Sequence, residues 1–216
     1  MELALYLILS YLLGAFPTSV VLGRLFWSTD IRRHGSGNAG ATNAWRVLGW
    51  KAGFPVLFID LGKGALAAGV VARLPLGAVP VDQGTLAVLC GVAAVLGHVF
   101  PIYTRFRGGK GVATAAGMLA VVAPIPVGMA VGVFFLLLFS FGRVSLGSLL
   151  AAWTVPLSVL FLPHVLHVRF PVAVIALAFT LAVLITVTHR SNIRRLLSGE
   201  EKVFSALQLW RRFGAR

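Results

Sequence analysis

The feature that most constrains this chain is its number of apolar segments long enough to cross a membrane. Of its 216 residues 58% are hydrophobic, and the mean hydropathy is +0.92. A soluble domain is about 45–50% apolar, and a spanning helix needs about 20 apolar residues. The sequence therefore predicts an all-α integral membrane protein. Its candidate spans are residues 3–24, 52–72, 84–102, 124–141, 147–163 and 170–188.

One apolar stretch, residues 112–141, contains Pro124 and Pro126. Proline removes a backbone donor and clashes with the preceding turn, so we expect a short helix over 111–123, a tight turn and a second helix over 124–141. The short helix would rise only about 20 Å. It brings the predicted count to seven transmembrane helices, which places the two ends of the chain on opposite sides of the membrane.

The distribution of cations predicts the orientation. Sixteen of the 19 Lys and Arg residues are Arg24, at the end of the first span, and those in 25–51, 103–110, 142–146 and 189–216, which seven helices would place on one side. Cytoplasmic loops carry an excess of Lys and Arg, so we expect these segments in the cytoplasm and the N-terminus outside. The whole chain, 1–216, then forms a single membrane domain. Its basic amphipathic tail, about 200–216, would lie on anionic lipid.

Other classes of protein fit the composition less well. The formal net charge of +13 could indicate nucleic-acid binding, but these cations flank apolar spans and do not form one face. The single Cys90 excludes an internal disulfide. Because Met1 and Glu2 lack the basic region of a signal peptide, the first span is expected to remain in the mature protein.

Three polar clusters lie at the ends of the spans, all on the predicted cytoplasmic side. The first cluster, residues 34–46, is rich in glycine, and glycine lets backbone N–H groups approach an anion closely. Arginine adds a fork that fits phosphate oxygens. A plain turn between two helices would also use Gly and Asn. The residues of this cluster that could bind phosphate or a hydroxyl are Ser36, Asn38, Thr42, Asn43 and Arg46.

The second cluster, residues 105–114, has two glycines before Lys110 and continues into the predicted short helix. It is not a Walker A loop, since Gly111 and not Ser or Thr follows the lysine, but a helix N-terminus favours anions. A basic anchor at the membrane edge is the alternative. In the third cluster, residues 189–192, His189 and Asn192 lie on one helical face. A histidine there could act as acid, base or hydrogen-bond donor.

Weaker signals surround these clusters. Asp60 and Lys63 are three residues apart within a span and could pair or serve function. His98, near the cytoplasmic end of its helix, could reach the site. Ser145 could contact substrate or cap its helix. No carboxylate cluster predicts a divalent metal, and no cofactor is expected.

Together the clusters resemble the bacterial acyl-phosphate glycerol 3-phosphate acyltransferase (PlsY) family. The resemblance lies in order, length and membrane pattern over almost the whole chain. The matching segments are Gly35-Ser-Gly-Asn-Ala-Gly-Ala-Thr-Asn-Ala-Trp-Arg46, Asp60-Leu-Gly-Lys-Gly64, Gly97-His98, Gly108-Gly-Lys-Gly-Val-Ala-Thr114 and His189-Arg-Ser-Asn-Ile-Arg-Arg-Leu-Leu-Ser-Gly-Glu-Glu201.

The resemblance implies a reaction. A fatty acyl group passes from acyl phosphate to the 1-hydroxyl of glycerol 3-phosphate and yields 1-acyl-glycerol 3-phosphate (lysophosphatidate) and inorganic phosphate. This is the first acylation step of bacterial phospholipid synthesis. It implies a seven-helix fold in the cytoplasmic (inner) membrane, with no metal, no acyl-enzyme and an active site on the cytoplasmic face. The implied partners are the two substrates and the bilayer, and partner proteins are not predicted.

The resemblance also implies residue roles. Ser36 and His189 would hold the acyl phosphate and the developing oxyanion, Arg46 and Lys110 would bind the phosphate of glycerol 3-phosphate, and Asn192 would orient His189 or a phosphate. The base stays open between His189 and the substrate's own phosphate. Further expected substrate contacts are Gly37, Asn38, Thr42, Asn43, His98, Gly108, Gly109, Gly111, Thr114 and Ser145.

Two alternatives are weighed against this enzyme. A membrane transporter of an organic phosphate would also use several helices and cationic pockets, but it requires a polar path with an outward gate. The outer loops carry almost no matching chemistry. A phosphatidyl transferase would hold a metal with paired Asp residues, which the sequence lacks.

Overall fold

A computed structural model describes residues 1–204, and in that range the chain forms ten α-helices, three short 3₁₀ turns and no strand. The expected all-α architecture is therefore confirmed. Of the predicted basic tail, residues 205–216 lie outside the described range, and residues 200–204 are not helical. The helices are α1 Glu2–Ala15, α2 Thr18–Trp27, α3 Ala41–Leu48, α4 Trp50–Gly69, α5 Gln83–Val99, α6 Val112–Val122, α7 Pro124–Phe141, α8 Val144–Leu166, α9 Val172–Thr188 and α10 Arg190–Leu197.

Five segments within residues 1–204 are long and apolar enough to span a membrane, and a sixth follows if α9 and α10, bent by 64°, count as one. The short helix and the break before Pro124 are confirmed, since α6 ends at Val122 and α7 begins at Pro124. The count of seven and the orientation stay predictions. The five segments are Glu2–Trp27, Trp50–Arg73, Gln83–Thr104, Pro124–Phe141 and Val144–Leu166.

The first span was predicted as one helix over 3–24, but the structure has two helices there, α1 and α2. It breaks between α1 and α2, because Pro17 has no N–H to donate and disfavours a helical conformation at Phe16. The carbonyl of Phe16 is instead a hydrogen-bond acceptor for the ammonium of Lys63. The break therefore brings a cation from α4 to the end of α1.

The chain divides into two compact units, Met1–Val122 and Ala123 onward. In the first unit α4 packs against α2, α3, α5 and α6, and α1 packs against α5. Glycine makes the closest helix contact possible: a Cβ at Gly64 would overlap the carbonyl of Thr114, and one at Gly117 would overlap that of Leu61. Small residues at such contacts are typical of membrane helices.

In the second unit α8 packs against α7, α9 and α10. Large apolar side chains of these helices are exposed, including Leu136 and Leu157, as expected of helices that face lipid. The segment after α10 folds back, and the N–H of Phe204 donates to the carbonyl of Gly142 at 2.8 Å. This return places Glu201 among the polar residues at the start of α8 and in α10.

Candidate active site

The loop of the first cluster is built around Asn43, in the first turn of α3. Its Oδ1 accepts from the N–H of Ser36 at 2.8 Å, and its Nδ2 donates to the carbonyls of Ile31 and His34 at 3.0 Å each. Gly35, at φ +67°, makes the turn, because any Cβ there would overlap the amide of Asn43. Both donors of this buried amide are used within the loop, so Asn43 positions Ser36.

The other members of the first cluster lie in the same loop and in α3. Ser36 and Gly37 are exposed, whereas Asn38, Thr42 and Arg46 are half-buried. Arg46 is three residues after Asn43 on α3 and so lies on the same side of that short helix. The hydroxyl of Ser36 and the guanidinium of Arg46 thus belong to a loop and a helix that the hydrogen bonds of Asn43 join.

The second cluster is seated on His98. The N–H of Gly109 donates to the carbonyl of His98 at 3.1 Å. A Cβ on Gly109 would lie 2.9 Å from the Cε1 of His98 and 3.0 Å from the carbonyl oxygen of Ala39, so this glycine fits tightly between His98 and the first cluster. The sequence-predicted first and second clusters therefore meet within the first unit.

Lys110 follows this contact directly and is half-buried. Gly111, at φ +83°, turns the chain into α6, in the left-handed conformation that glycine tolerates. Thr114, which was expected to contact substrate, is fully buried where α4 meets α6. Its hydroxyl oxygen has no hydrogen-bond partner among residues 1–204. The structure gives Thr114 a place in helix packing.

A buried polar group supports both loops. Oδ1 of Asp60 accepts from the hydroxyl of Thr18 at 2.7 Å and from Nζ of Lys63 at 2.8 Å, and it lies 3.7 Å from Nδ1 of His98. The predicted pairing of Asp60 with Lys63 is confirmed. Charges inside a span are costly unless paired, and here one carboxylate joins α2, α4 and α5.

This buried group opens on a narrow cleft of the first unit. Its lining includes Thr18, Ala39, Asp60, His98 and Gly109, so the supporting charges and both loops border the same space. The involvement of Thr18 and the support from His98 were missed by sequence reasoning. Thr18 is 42 positions and His98 is 38 positions from Asp60 along the chain, so no local sequence pattern indicates these contacts.

The third cluster lies in the second unit, where the chain bends between α9 and α10. Nδ1 of His189 lies 2.8 Å from the carbonyl oxygen of Ile185. A carbonyl can only accept, so Nδ1 carries the proton, and whenever the ring is neutral its lone pair is on Nε2. The ring is buried. His189 is thus held in the tautomer that can take a proton at Nε2.

Glu201 organises the rest of this cluster and was not predicted as a site residue. Its Oε1 accepts from Nδ2 of Asn192 and from the hydroxyl of Ser145, and its Oε2 accepts from Nε of Arg195, all at 2.7 Å. The hydroxyl proton of Ser145 therefore points to Glu201, and its substrate contact stays a prediction. The carboxylate instead fixes the amide of Asn192.

The charge state of Glu201 follows from these bonds. Burial alone would raise its pKa, but hydrogen bonds from Ser145, Asn192 and Arg195, with the charge of Arg195, outweigh burial and lower the pKa below its ordinary value. Glu201 is therefore ionised at neutral pH and holds Asn192 and Arg195 together on α10.

Comparison with known proteins gives one consistent family. Residues 4–199 match the family described as "Glycerol-3-phosphate acyltransferase". Glycerol-3-phosphate acyltransferases from Chlorobaculum tepidum and Chlorobaculum parvum are 42% and 43% identical to the chain; the alignments cover 92% and 89% of it and 95% and 92% of the relatives.

Solved structures agree. The crystal structure described as PlsY (YgiH), an integral membrane glycerol 3-phosphate acyltransferase, in its glycerol 3-phosphate form, superposes with a TM-score of 0.81 at 34% identity. That match covers 96% of this chain and 98% of the other. Its lysophosphatidic acid form gives a TM-score of 0.79 at 33% identity, with coverage of 97% and 99%.

Proposed function

The chain belongs to the glycerol-3-phosphate acyltransferase family, and from that premise we propose its acyl donor, the roles of its site residues and its orientation. It is a membrane acyltransferase that acylates glycerol 3-phosphate. The transporter alternative is not supported, since the related proteins and the similar structures are described as acyltransferases.

The proposed donor is a fatty acyl phosphate. Its mixed anhydride is already activated, so positioning and charge stabilisation can supply most of the rate. The 1-hydroxyl oxygen of glycerol 3-phosphate attacks the acyl carbon, the bond from that carbon to the phosphate oxygen breaks, and inorganic phosphate leaves with the electron pair. The products are lysophosphatidate and phosphate, and the related structure in a lysophosphatidic acid form supports the lipid product.

The hydroxyl proton needs an acceptor in this step. The tautomer of His189, with its lone pair on Nε2, favours this residue as the base, and the phosphate of the substrate is the alternative. Glu201 would hold Asn192 in place to orient a phosphate. The family relationship, the residue types and these hydrogen bonds support the assignment.

Arg46 and Lys110 would bind the phosphate of glycerol 3-phosphate, while Ser36 would contact the acyl phosphate. The observation that carries this assignment is the tight seating of Gly109 between His98 and Ala39. It joins the loop before Lys110 to the loop that presents Ser36. Two phosphate-bearing substrates need two anion pockets close together, and this contact supplies neighbouring loops in the first unit.

The kinetic test uses Arg46→Ala. We expect the KM for glycerol 3-phosphate to rise at least about tenfold, as loss of a charge-assisted contact predicts, with a smaller change in the KM for palmitoyl phosphate. Arg33→Ala is the matched control, because Arg33 is exposed in the preceding turn. An unchanged KM for glycerol 3-phosphate in Arg46→Ala would refute the role of this residue.

We further propose seven spans, with α6 as a short one, in the bacterial cytoplasmic membrane. The N-terminus would lie outside and the active site on the cytoplasmic face, which the distribution of Lys and Arg supports. Single cysteines at Ala78 or Ser198, both exposed, in a Cys90→Ala background would test this. An impermeant maleimide should label Ala78→Cys from outside and Ser198→Cys only in inverted vesicles, and the reverse pattern would contradict the orientation.

A further inference from the structure

A further basic region of the first unit, which includes Arg105 and Arg107 at the start of the second cluster, has no role in the proposed reaction. It is an open cavity of ≈ 510 Å³ lined by four arginines and two hydroxyl-bearing residues. None of the lining residues is acidic, and none belongs to the residues assigned above to the two substrates. The lining consists of Arg24, Arg32, Tyr103, Thr104, Arg105 and Arg107.

Asp30 fixes one half of this arginine cavity. Its carboxylate accepts from Nη2 of Arg24 at 2.8 Å, and from Nη2 and Nε of Arg32 at 2.7 and 3.0 Å. The paired guanidinium groups hold the pKa of Asp30 well below its usual range, so it stays ionised. One carboxylate cannot neutralise four arginines, and three positive charges remain in excess around the cavity.

The other half is fixed by a tight turn. Arg105 and Phe106 both adopt the left-handed region, at φ +53° and +61°, which costs energy for residues other than glycine. The N–H of Phe106 donates to the carbonyl of Pro101 at 2.9 Å, and the hydroxyl of Thr104 donates to the carbonyl of Arg107 at 2.9 Å. These bonds hold the backbone of Arg105 and Arg107 against that cost.

The place of the cavity indicates the class of ligand. The candidate spans Glu2–Trp27 and Gln83–Thr104 both end at it. Leu25 and Phe26 are 70% exposed and Phe106 is 60% exposed, so apolar surface lies next to the guanidinium groups along the sequence. Arginine pairs with phosphate by charge-assisted hydrogen bonds, and basic residues at a membrane edge attract anionic lipid.

We propose that the arginine cavity binds the phosphate group of an anionic membrane lipid, at a site next to the cleft described above, with which it shares Thr104. The fixed guanidinium groups recognise the phosphate, and the neighbouring apolar side chains accompany its acyl chains. Glycerol 3-phosphate and inorganic phosphate carry the same chemistry without a tail. The experiment therefore separates the lipid from the soluble source.

The test measures lipid retention by native mass spectrometry on the purified full chain in mixed micelles. Phosphatidylglycerol and phosphatidylcholine with the same acyl chains are the lipid probes, and inorganic phosphate and glycerol 3-phosphate are the soluble competitors. We expect the wild type to retain phosphatidylglycerol at least tenfold better than phosphatidylcholine. The double variant Arg105→Gln/Arg107→Gln should lose that preference.

Arg33→Gln/Lys51→Gln is the matched control, since it also removes two charges at exposed residues that do not line the cavity. It should keep the wild-type preference. Arg105 and Arg107 are exposed, so the double variant should keep the wild-type Tm. Arg24→Gln is a second variant, which changes another arginine in the lining of the cavity. Displacement by the soluble competitors at millimolar concentration, with equal retention of the two lipids, would overturn the lipid assignment.

Equal losses in Arg33→Gln/Lys51→Gln and in Arg105→Gln/Arg107→Gln would overturn the site, because net charge alone would then explain retention. The proposal does not depend on the assignment of Arg46. The rate of acyl transfer at saturating substrates in Arg105→Gln/Arg107→Gln distinguishes the lipid site from the reaction site. A loss of this rate without a change in lipid retention would implicate Arg105 and Arg107 in the reaction and contradict this proposal.

Discussion

The contact between α4 and α6 supports the site, and its glycines permit a stringent test. A Cβ on Gly64 would overlap the carbonyl oxygen of Thr114 and lie 2.8 Å from the backbone nitrogen of Met118. Both are backbone atoms, which cannot rotate away. Gly64→Ala must therefore push the two helices apart by about 1 Å, which sacrifices a quarter to a half of the dispersion energy at each contact affected.

The magnitude follows from this geometry. Overpacking costs about 1–3 kcal/mol, and the rigid backbone partner puts Gly64→Ala at about 3 kcal/mol. For a chain of this length each kcal/mol corresponds to about 2–4 °C in Tm, so we expect a loss of about 6–12 °C. Activity should fall as well, because α4 carries Asp60 and α6 begins within the second cluster.

The matched control is Gly62→Ala, on the same helix. No atom within 4 Å, among those of other elements in the described chain, would meet a Cβ at Gly62, and alanine improves helix propensity by about 0.5–1 kcal/mol. Its Tm should stay equal or rise slightly. Thermal unfolding of purified protein decides the matter: a Gly64→Ala variant within 2 °C of wild type, or equal losses in both variants, would refute the packing argument.

Three other substitutions test the polar groups. Asn43→Ala should lower stability by about 3 kcal/mol, since three hydrogen bonds are lost at about 1 kcal/mol each, and reduce kcat far more than Arg33→Ala does in the preceding turn; equal effects on kcat would count against the role of Asn43 in positioning Ser36. Glu201→Gln should lower Tm at pH 7, and the difference from wild type should shrink as the pH falls below about 4.5, because a carboxyl of lowered pKa loses its stabilising effect as pH falls through that pKa; a constant difference would contradict this. Asp60→Leu should destabilise by about 3–5 kcal/mol by leaving a buried cation unpaired, and adding Lys63→Met should recover Tm; no recovery would argue against the ion pair as the cause.

The sequence predicts the helices where apolar composition and helix-breaking residues indicate the same boundaries. Apolar runs locate the spans, and Pro124 correctly predicts the start of α7. The spacing of Asp60 and Lys63 predicts their pair, because residues three apart on a helix are neighbours. Pro17 gives the same signal as Pro124, yet it lies inside a run long enough for one helix, and the break there was not predicted.

The supporting groups of the site could not be predicted from local pattern. His98 meets Gly109 and Asp60 only after α4 and α5 pack together, and Glu201 meets Ser145 across 56 positions of the chain. Such contacts depend on tertiary packing. Asn43 was predicted to contact substrate, but its hydrogen bonds lie inside the loop, because a buried amide must satisfy its donors locally.

The most direct measurement is phosphate release from palmitoyl phosphate by the purified protein in lipid, with and without glycerol 3-phosphate and in the presence of chelator. The account predicts that phosphate appears only when both substrates are present, in equal amount with lysophosphatidate, and that chelator has no effect. Release of phosphate in the absence of glycerol 3-phosphate would contradict acyl transfer from acyl phosphate. So would the absence of any release by protein whose cooperative unfolding shows that it is folded.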